Sequence, residues 1–152
     1  VDPKRIEFEI TETALLSDFD TADQVIGLLR AAGISIALDD FGTGFSSLSH
    51  IHRLAFDKLK IDKTFVMNFD RDVRSMNITR SVANLCQNLG IASVAEGVES
   101  EEIADGLRAM GVRLAQGYHF SRPLKLNAAI DYALQRDAMT MAHEPLHALL
   151  PY

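Results

Sequence analysis

The sequence predicts an α/β fold of parallel strands joined by crossover helices, and two observations carry the prediction. Short apolar and β-branched stretches alternate with segments of helical periodicity along most of the chain. Three helical segments end on a glycine, at Gly33, Gly90 and Gly111, directly before a strand-like stretch. That order suits a βαβ unit, in which each helix must stop, reverse and feed the next parallel strand.

Strands are predicted at residues 5–10, 34–38, 58–61, 91–95 and 112–115, rich in branched and apolar side chains. Helices are predicted at residues 23–32, where Val25, Ile26, Leu28 and Leu29 recur, and at residues 71–89 and 101–110. Five βα units fit either an open doubly wound sheet or part of a closed eight-stranded barrel. Polar residues recur at the strand ends, where a barrel gathers them around one mouth, so the barrel is favoured. At about 30 residues per unit, the other three units would need about 90 residues not in this chain. Residues 1–137 are read as the barrel portion and residues 138–152 as a tail.

The 152 residues are 47% hydrophobic and 24% charged, enough apolar surface for one core. A net charge of −6 excludes a broad basic surface for a nucleic-acid polymer, so any phosphate ligand must be held by cations or a few placed donors. Cys86 is the only cysteine and sits in a helical pattern beside Ile78, Val82, Leu85 and Leu89, as a buried structural thiol would. The chain has no apolar run of membrane-spanning length and no signal-like start, so a cytoplasmic protein is expected.

Chemistry-bearing residues stand at the ends of the predicted strands. Glu7 and Glu9 share one face of the first strand, and Glu12 follows its end. The second strand runs into Asp39 and Asp40 and then Phe41, Gly42, Thr43 and Gly44. Adjacent carboxylates at the end of a buried strand repel each other unless a cation or hydrogen bonds compensate, and the glycines let the backbone turn away. Lys60 and Asp62 end the third strand, Glu96 and Glu99 follow the fourth, and Gln116 follows the fifth. Any one such end is an ordinary solvated strand end, but five in succession are not. An all-oxygen set suits magnesium or manganese, and a lysine beside them could hold and polarise a water. The reading from residues alone is metal-assisted phosphoester chemistry at a barrel mouth.

The stretch from His143 to His147 matches the H-E-x-x-H zinc-protease pattern, but Pro145 lies between the histidines and would break the helix the motif requires. His50, His52 and His119 show no better ligand spacing.

Five stretches, E-I-T-E at residues 9–12, D-D-F-G-T-G at 39–44, L-K-I-D at 59–62, V-A-E-G-V-E at 94–99 and Q-G-Y at 116–118, stand in the order and spacing of one family. The chain resembles the EAL family of cyclic di-GMP phosphodiesterases over residues 4 to 125. The resemblance implies the C-terminal portion of a modified TIM (β/α)8 barrel that opens cyclic di-GMP to linear pGpG, with two Mg2+ or Mn2+ ions. It implies Glu9, Asp39 and Asp40 as metal ligands, Asp39 bridging the ions, with Lys60 holding the attacking water. Glu96 is implied as ligand, general base or both, and Gln116, Glu99 and Asp62 as substrate-contacting or supporting residues. Glu12 would anchor a regulatory loop containing Phe41, Gly42, Thr43 and Gly44 that connects the metals to a homodimer interface. Fused GGDEF or sensory domains are further implied.

The Glu-Ala-Leu motif that names the family, and its asparagine ligand from the following strand, are not among these residues, and the chain opens on Val1. The expectation is therefore a piece of a longer enzyme, inactive alone. The alternatives are a cyclic di-GMP receptor without catalysis and, more distantly, an enolase-like carboxylate and magnesium site.

Overall fold

Asp2 and Pro3 set the first turn. The Asp2 carboxylate accepts the Lys4 N–H at 3.0 Å, and Pro3–Arg5 forms a 3-10 turn before the first strand, which therefore starts at Glu7 and not at residue 5. A computed structural model describes residues 1–42, 53–139 and 147–148 of the chain. The strands are β1 (Glu7–Thr11), β2 (Ser35–Phe41), β3 (Lys58–Ile61), β4 (Ala92–Ala95), β5 (Leu114–Ala115) and the short β6 (His147–Ala148). All neighbours pair in parallel, in the order β1-β2-β3-β4-β5-β6. The five predicted strands are present in sequence order, as in a barrel wall and unlike a doubly wound sheet, whose order reverses.

The helices are α1 (Glu12–Ser17), α2 (Phe19–Ala31), α3 (Lys63–Val66), α4 (Val73–Leu89), α5 (Glu101–Ala109) and α6 (Leu126–Met139). Side-chain caps set the starts of α1 to α5, and these caps explain where the periodicity misplaces them. Asp18 accepts the Thr21 N–H at 3.1 Å, so α2 begins four residues earlier than predicted. Asp72 accepts from Arg74 N at 3.1 Å and Ser75 N at 3.0 Å, which starts α4 two residues later. The short α1 and α3 escape periodicity but carry caps, Thr11 for α1 and Asp62 for α3. Helix α6 runs across the boundary drawn between barrel and tail, and β6 pairs with β5 from within the segment read as tail.

Alternating strand positions divide the sheet into two faces. One face sends Ile36, Leu38, Leu59, Ile61, Ala95 and Ala115 into a core with Leu15, Ile26, Val66, Val82, Cys86, Ile103 and Leu107 from the helices. Each fully buried Leu or Ile contributes about 1.5–3 kcal/mol. The opposite face carries Glu7, Glu9, Asp39, Lys58 and Lys60, so the apolar contacts that hold the helices also aim the charged residues.

Cys86 belongs to the core at 1% exposure, and burial pushes its thiol up to about 12. At pH 8 a maleimide or disulfide reagent is expected to modify it at least about a hundredfold more slowly than a free cysteine, because the thiolate is the reactive form. Rapid labelling with an unchanged melting curve would contradict this burial. Among the described residues no helix is long and apolar enough to cross a membrane.

Candidate functional site

Lys60 lies at the centre of the polar face. Its Nζ donates to Glu9 Oε2 at 2.7 Å, Glu96 Oε1 at 2.8 Å and Asp39 Oδ1 at 3.1 Å, joining the ends of four neighbouring strands. The side chain is only 6% exposed. Burial opposes its charge, but the hydrogen bonds it donates to Glu9, Glu96 and Asp39 outweigh that opposition and raise its pKa, so the ammonium stays charged at neutral pH.

Successive residues of a regular strand point to opposite faces, so Asp39 and Asp40 should diverge. The register shows why they do not. Leu38 pairs with Leu59 and Phe41 with Ile61, which leaves one extra residue on β2, a bulge at the aspartates. Asp40 takes φ +55° there, costing roughly 1 kcal/mol for a residue with a Cβ, and its N–H donates to Asp39 Oδ1 at 3.0 Å. The bulge places ligand atoms of Asp39, Asp40 and Glu96 within 4.8 Å of one another.

Asp40 and Glu96 are strained as anions. Burial raises the pKa of Asp40, and Asp39 and Asp62 raise it further, partly through an Asp62 hydrogen bond. Burial also raises Glu96, with Asp39 and Glu9 adding to it and Lys60 opposing. Four carboxylates, on Glu9, Asp39, Asp40 and Glu96, thus share one buried ammonium, and Asp62 adds a fifth negative group beside Asp40. Hard oxygen donors in this excess fit divalent cations such as magnesium, manganese or calcium. Three of the four expected ligands come together. Glu9 stands apart from them across Lys60, whose ammonium occupies the space between.

Gln116 Nε2 donates to Glu96 Oε1 at 2.7 Å, the same atom that accepts from Lys60, so Glu96 is held from two neighbouring segments of the sheet edge through one oxygen. Asp62 caps α3, its Oδ1 accepting from Thr64 N at 2.9 Å, and it supports Asp40. Glu99 is exposed and borders a cavity of about 430 Å³ with Glu96, Gln116, Gly117 and Tyr118. Glu12, 2% exposed, accepts the Gly42 N–H at 3.3 Å, which ties α1 to the chain leaving β2. Phe41 is buried, and Gly42 sits at φ +99° with Phe65 Cε2 3.1 Å from where a Cβ would be. Thr43 and Gly44, like His50, His52 and the stretch from His143 to Pro145, lie outside the described residues.

One pair on this face was not read from the sequence. Lys58 Nζ meets Glu7 Oε2 at 2.7 Å, below the Lys60 cluster. The sequence signal available was Glu7 two residues before Glu9 and Lys58 two before Lys60, a repeated acid and base spacing on facing strands.

The family model of the EAL domain matches residues 1–123. The cyclic di-GMP phosphodiesterase RocR of Pseudomonas aeruginosa is 42% identical over 130 residues, covering 86% of this chain and 33% of that protein. An uncharacterized signaling protein of Caulobacter vibrioides is 48% identical over 126 residues, covering 83% of this chain and 16% of that protein. Among solved structures, the PaMucR phosphodiesterase in its c-di-GMP complex superposes with TM-score 0.81 at 34% identity, over 84% of this chain and 52% of that one. The manganese and cyclic di-GMP complex of Klebsiella pneumoniae BlrP1 superposes with TM-score 0.75 at 41% identity, over 80% of this chain and 31% of that one. The chain spans 16–17% of the length of the first curated relatives it matches. A family match over residues 1–123, most of the chain, places this protein in the EAL domain family.

Proposed function

We propose that this chain forms the C-terminal part of a metal-dependent phosphodiesterase domain that hydrolyses cyclic di-GMP to pGpG. The observation that carries the reading is the β2 bulge, which turns two consecutive aspartates toward Glu96 and Lys60 at the cost of a strained backbone. A fold that needed only stability would gain nothing from crowding like charges there. The similarity to a cyclic di-GMP phosphodiesterase and to solved structures in complex with cyclic di-GMP supports the same substrate.

Magnesium or manganese ions held by Glu9, Asp39, Asp40 and Glu96 would neutralise the phosphate and make a water more acidic. Lys60 Nζ, whose three N–H groups meet three carboxylates, would hold that water with an N–H freed when a bound ion takes over one of those carboxylates. Glu96 would take a proton from it, and the raised carboxyl pKa supports proton uptake. Gln116 keeps Glu96 in that orientation. The same reading extends to two ions, a cytoplasmic homodimer and a GGDEF or sensory module elsewhere in the polypeptide, for which relatives about five times as long as this chain leave room.

The test is turnover of cyclic di-GMP with manganese by the full protein containing this chain, with pGpG separated by chromatography. Glu96→Gln is expected to lower kcat by about 10²–10⁴. Wild-type binding of cyclic di-GMP without turnover would replace the enzyme by a receptor.

A further inference from the structure

Beneath the Lys60 cluster lies the pair that the mechanism does not use. Glu7 and Glu9 share the polar face of β1, two residues apart. In the sheet register Glu9 pairs with Ala37 and Ala37 with Lys58, so Lys58 stands in the same row as Glu9. By backbone position Glu9 is the nearer acid, yet the Lys58 ammonium meets Glu7 Oε2 at 2.7 Å. Both side chains of that pair are about a quarter exposed, at 26% and 24%, so the charges are only partly screened. Glu9 already has one ammonium, from Lys60 at 2.7 Å.

A second ammonium on Glu9 would oppose a divalent cation there, both by occupying a carboxylate oxygen and by like charge. We propose that Glu7 is a positioning residue that sequesters Lys58 and so keeps the Glu9 carboxylate available to a divalent cation. The proposal rests on the reading of Glu9 as a metal ligand and adds to it a residue that never touches the metal. It explains why two acids, not one, line this face of β1. The repeated spacing of Glu7 and Glu9 against Lys58 and Lys60 gives each lysine its own acid on β1.

The experiment is manganese binding to the full protein containing this chain, followed by calorimetry and by the EPR signal of free Mn2+, with thermal melts as a check on folding. Glu7→Gln is expected to weaken Mn2+ binding about 10- to 100-fold, the range for residues that orient metal ligands. Adding Lys58→Met to that variant is expected to restore affinity to within about threefold of wild type, because the stray ammonium is gone. Lys58→Met alone is expected to bind Mn2+ at least as tightly as wild type. A role in folding alone would instead give losses for both single variants that persist in the double variant, and that pattern would overturn the proposal. If Glu9→Gln weakens Mn2+ binding but Glu7→Gln does not, the sequestering role fails while the metal site stands. If neither changes it, Glu9 is not a ligand and both readings fall.

Discussion

Replacing Lys60 by methionine is expected to lower cyclic di-GMP turnover by at least about 10³-fold, and to destabilise the metal-free protein by about 3 kcal/mol. The second effect follows from the pairing. Methionine fills the space but removes the ammonium that faces Glu9, Asp39 and Glu96, and their charges then repel, most strongly between the half-buried Asp39 and Glu96. The two losses should part company when manganese is added. In the proposed mechanism, cations bound by the carboxylates would replace the missing charge and raise the melting temperature by mass action, whereas the Lys60 N–H proposed to hold the water would not be replaced. Turnover within about tenfold of wild type, measured at saturating manganese, would remove Lys60 from the reaction. A metal-free melting curve identical to that of wild type would remove its structural role.

Gly117→Ala is expected to destabilise the protein by about 3 kcal/mol or more. A Cβ at this position would lie 2.2 Å from Val98 O, 2.3 Å from Val98 N and 2.8 Å from Val98 C, all backbone atoms. The Val98 backbone is held on both sides, its N–H donating to Gln116 O at 3.1 Å and its carbonyl accepting from His119 N at 3.0 Å. Relief therefore requires moving the segment that carries Gln116, the side chain that orients Glu96. Thermal unfolding should shift down by about 10 °C, and kcat should fall even where the variant stays folded. A shift under about 2 °C with kcat unchanged would show that the two segments separate freely.

Gln116 and Glu96 show what was legible beforehand. Both follow predicted strands, and parallel βα units must deliver such residues to one edge of the sheet, so their meeting follows from topology once the strands are recognised. Lys60 follows from the same reasoning. Asp40 does not. Alternation predicts it on the helix face, and only the one-residue bulge against β3 turns it toward Asp39, a feature set by pairing with a distant strand. The short helices α1 and α3 were hidden because each spans fewer than two helical turns, too few for a periodic signal. Their capping residues, Thr11 and Asp62, were visible but ambiguous, since a side chain of this kind also serves as a turn or a ligand.

What the sequence by itself determined is the class of fold and the chemistry of the site. Hydrophobic periodicity and the glycines after the helices specify parallel βα units, and the strand ends carry oxygen donors and one lysine whatever their final distances. Tertiary structure decided which acid each lysine meets, that Asp39, Asp40 and Glu96 converge while Glu9 stays across Lys60, and that Glu7 takes Lys58. Those outcomes depend on register and on a bulge. Both are set by long-range strand pairing and core packing, to which the local sequence pattern responds only weakly.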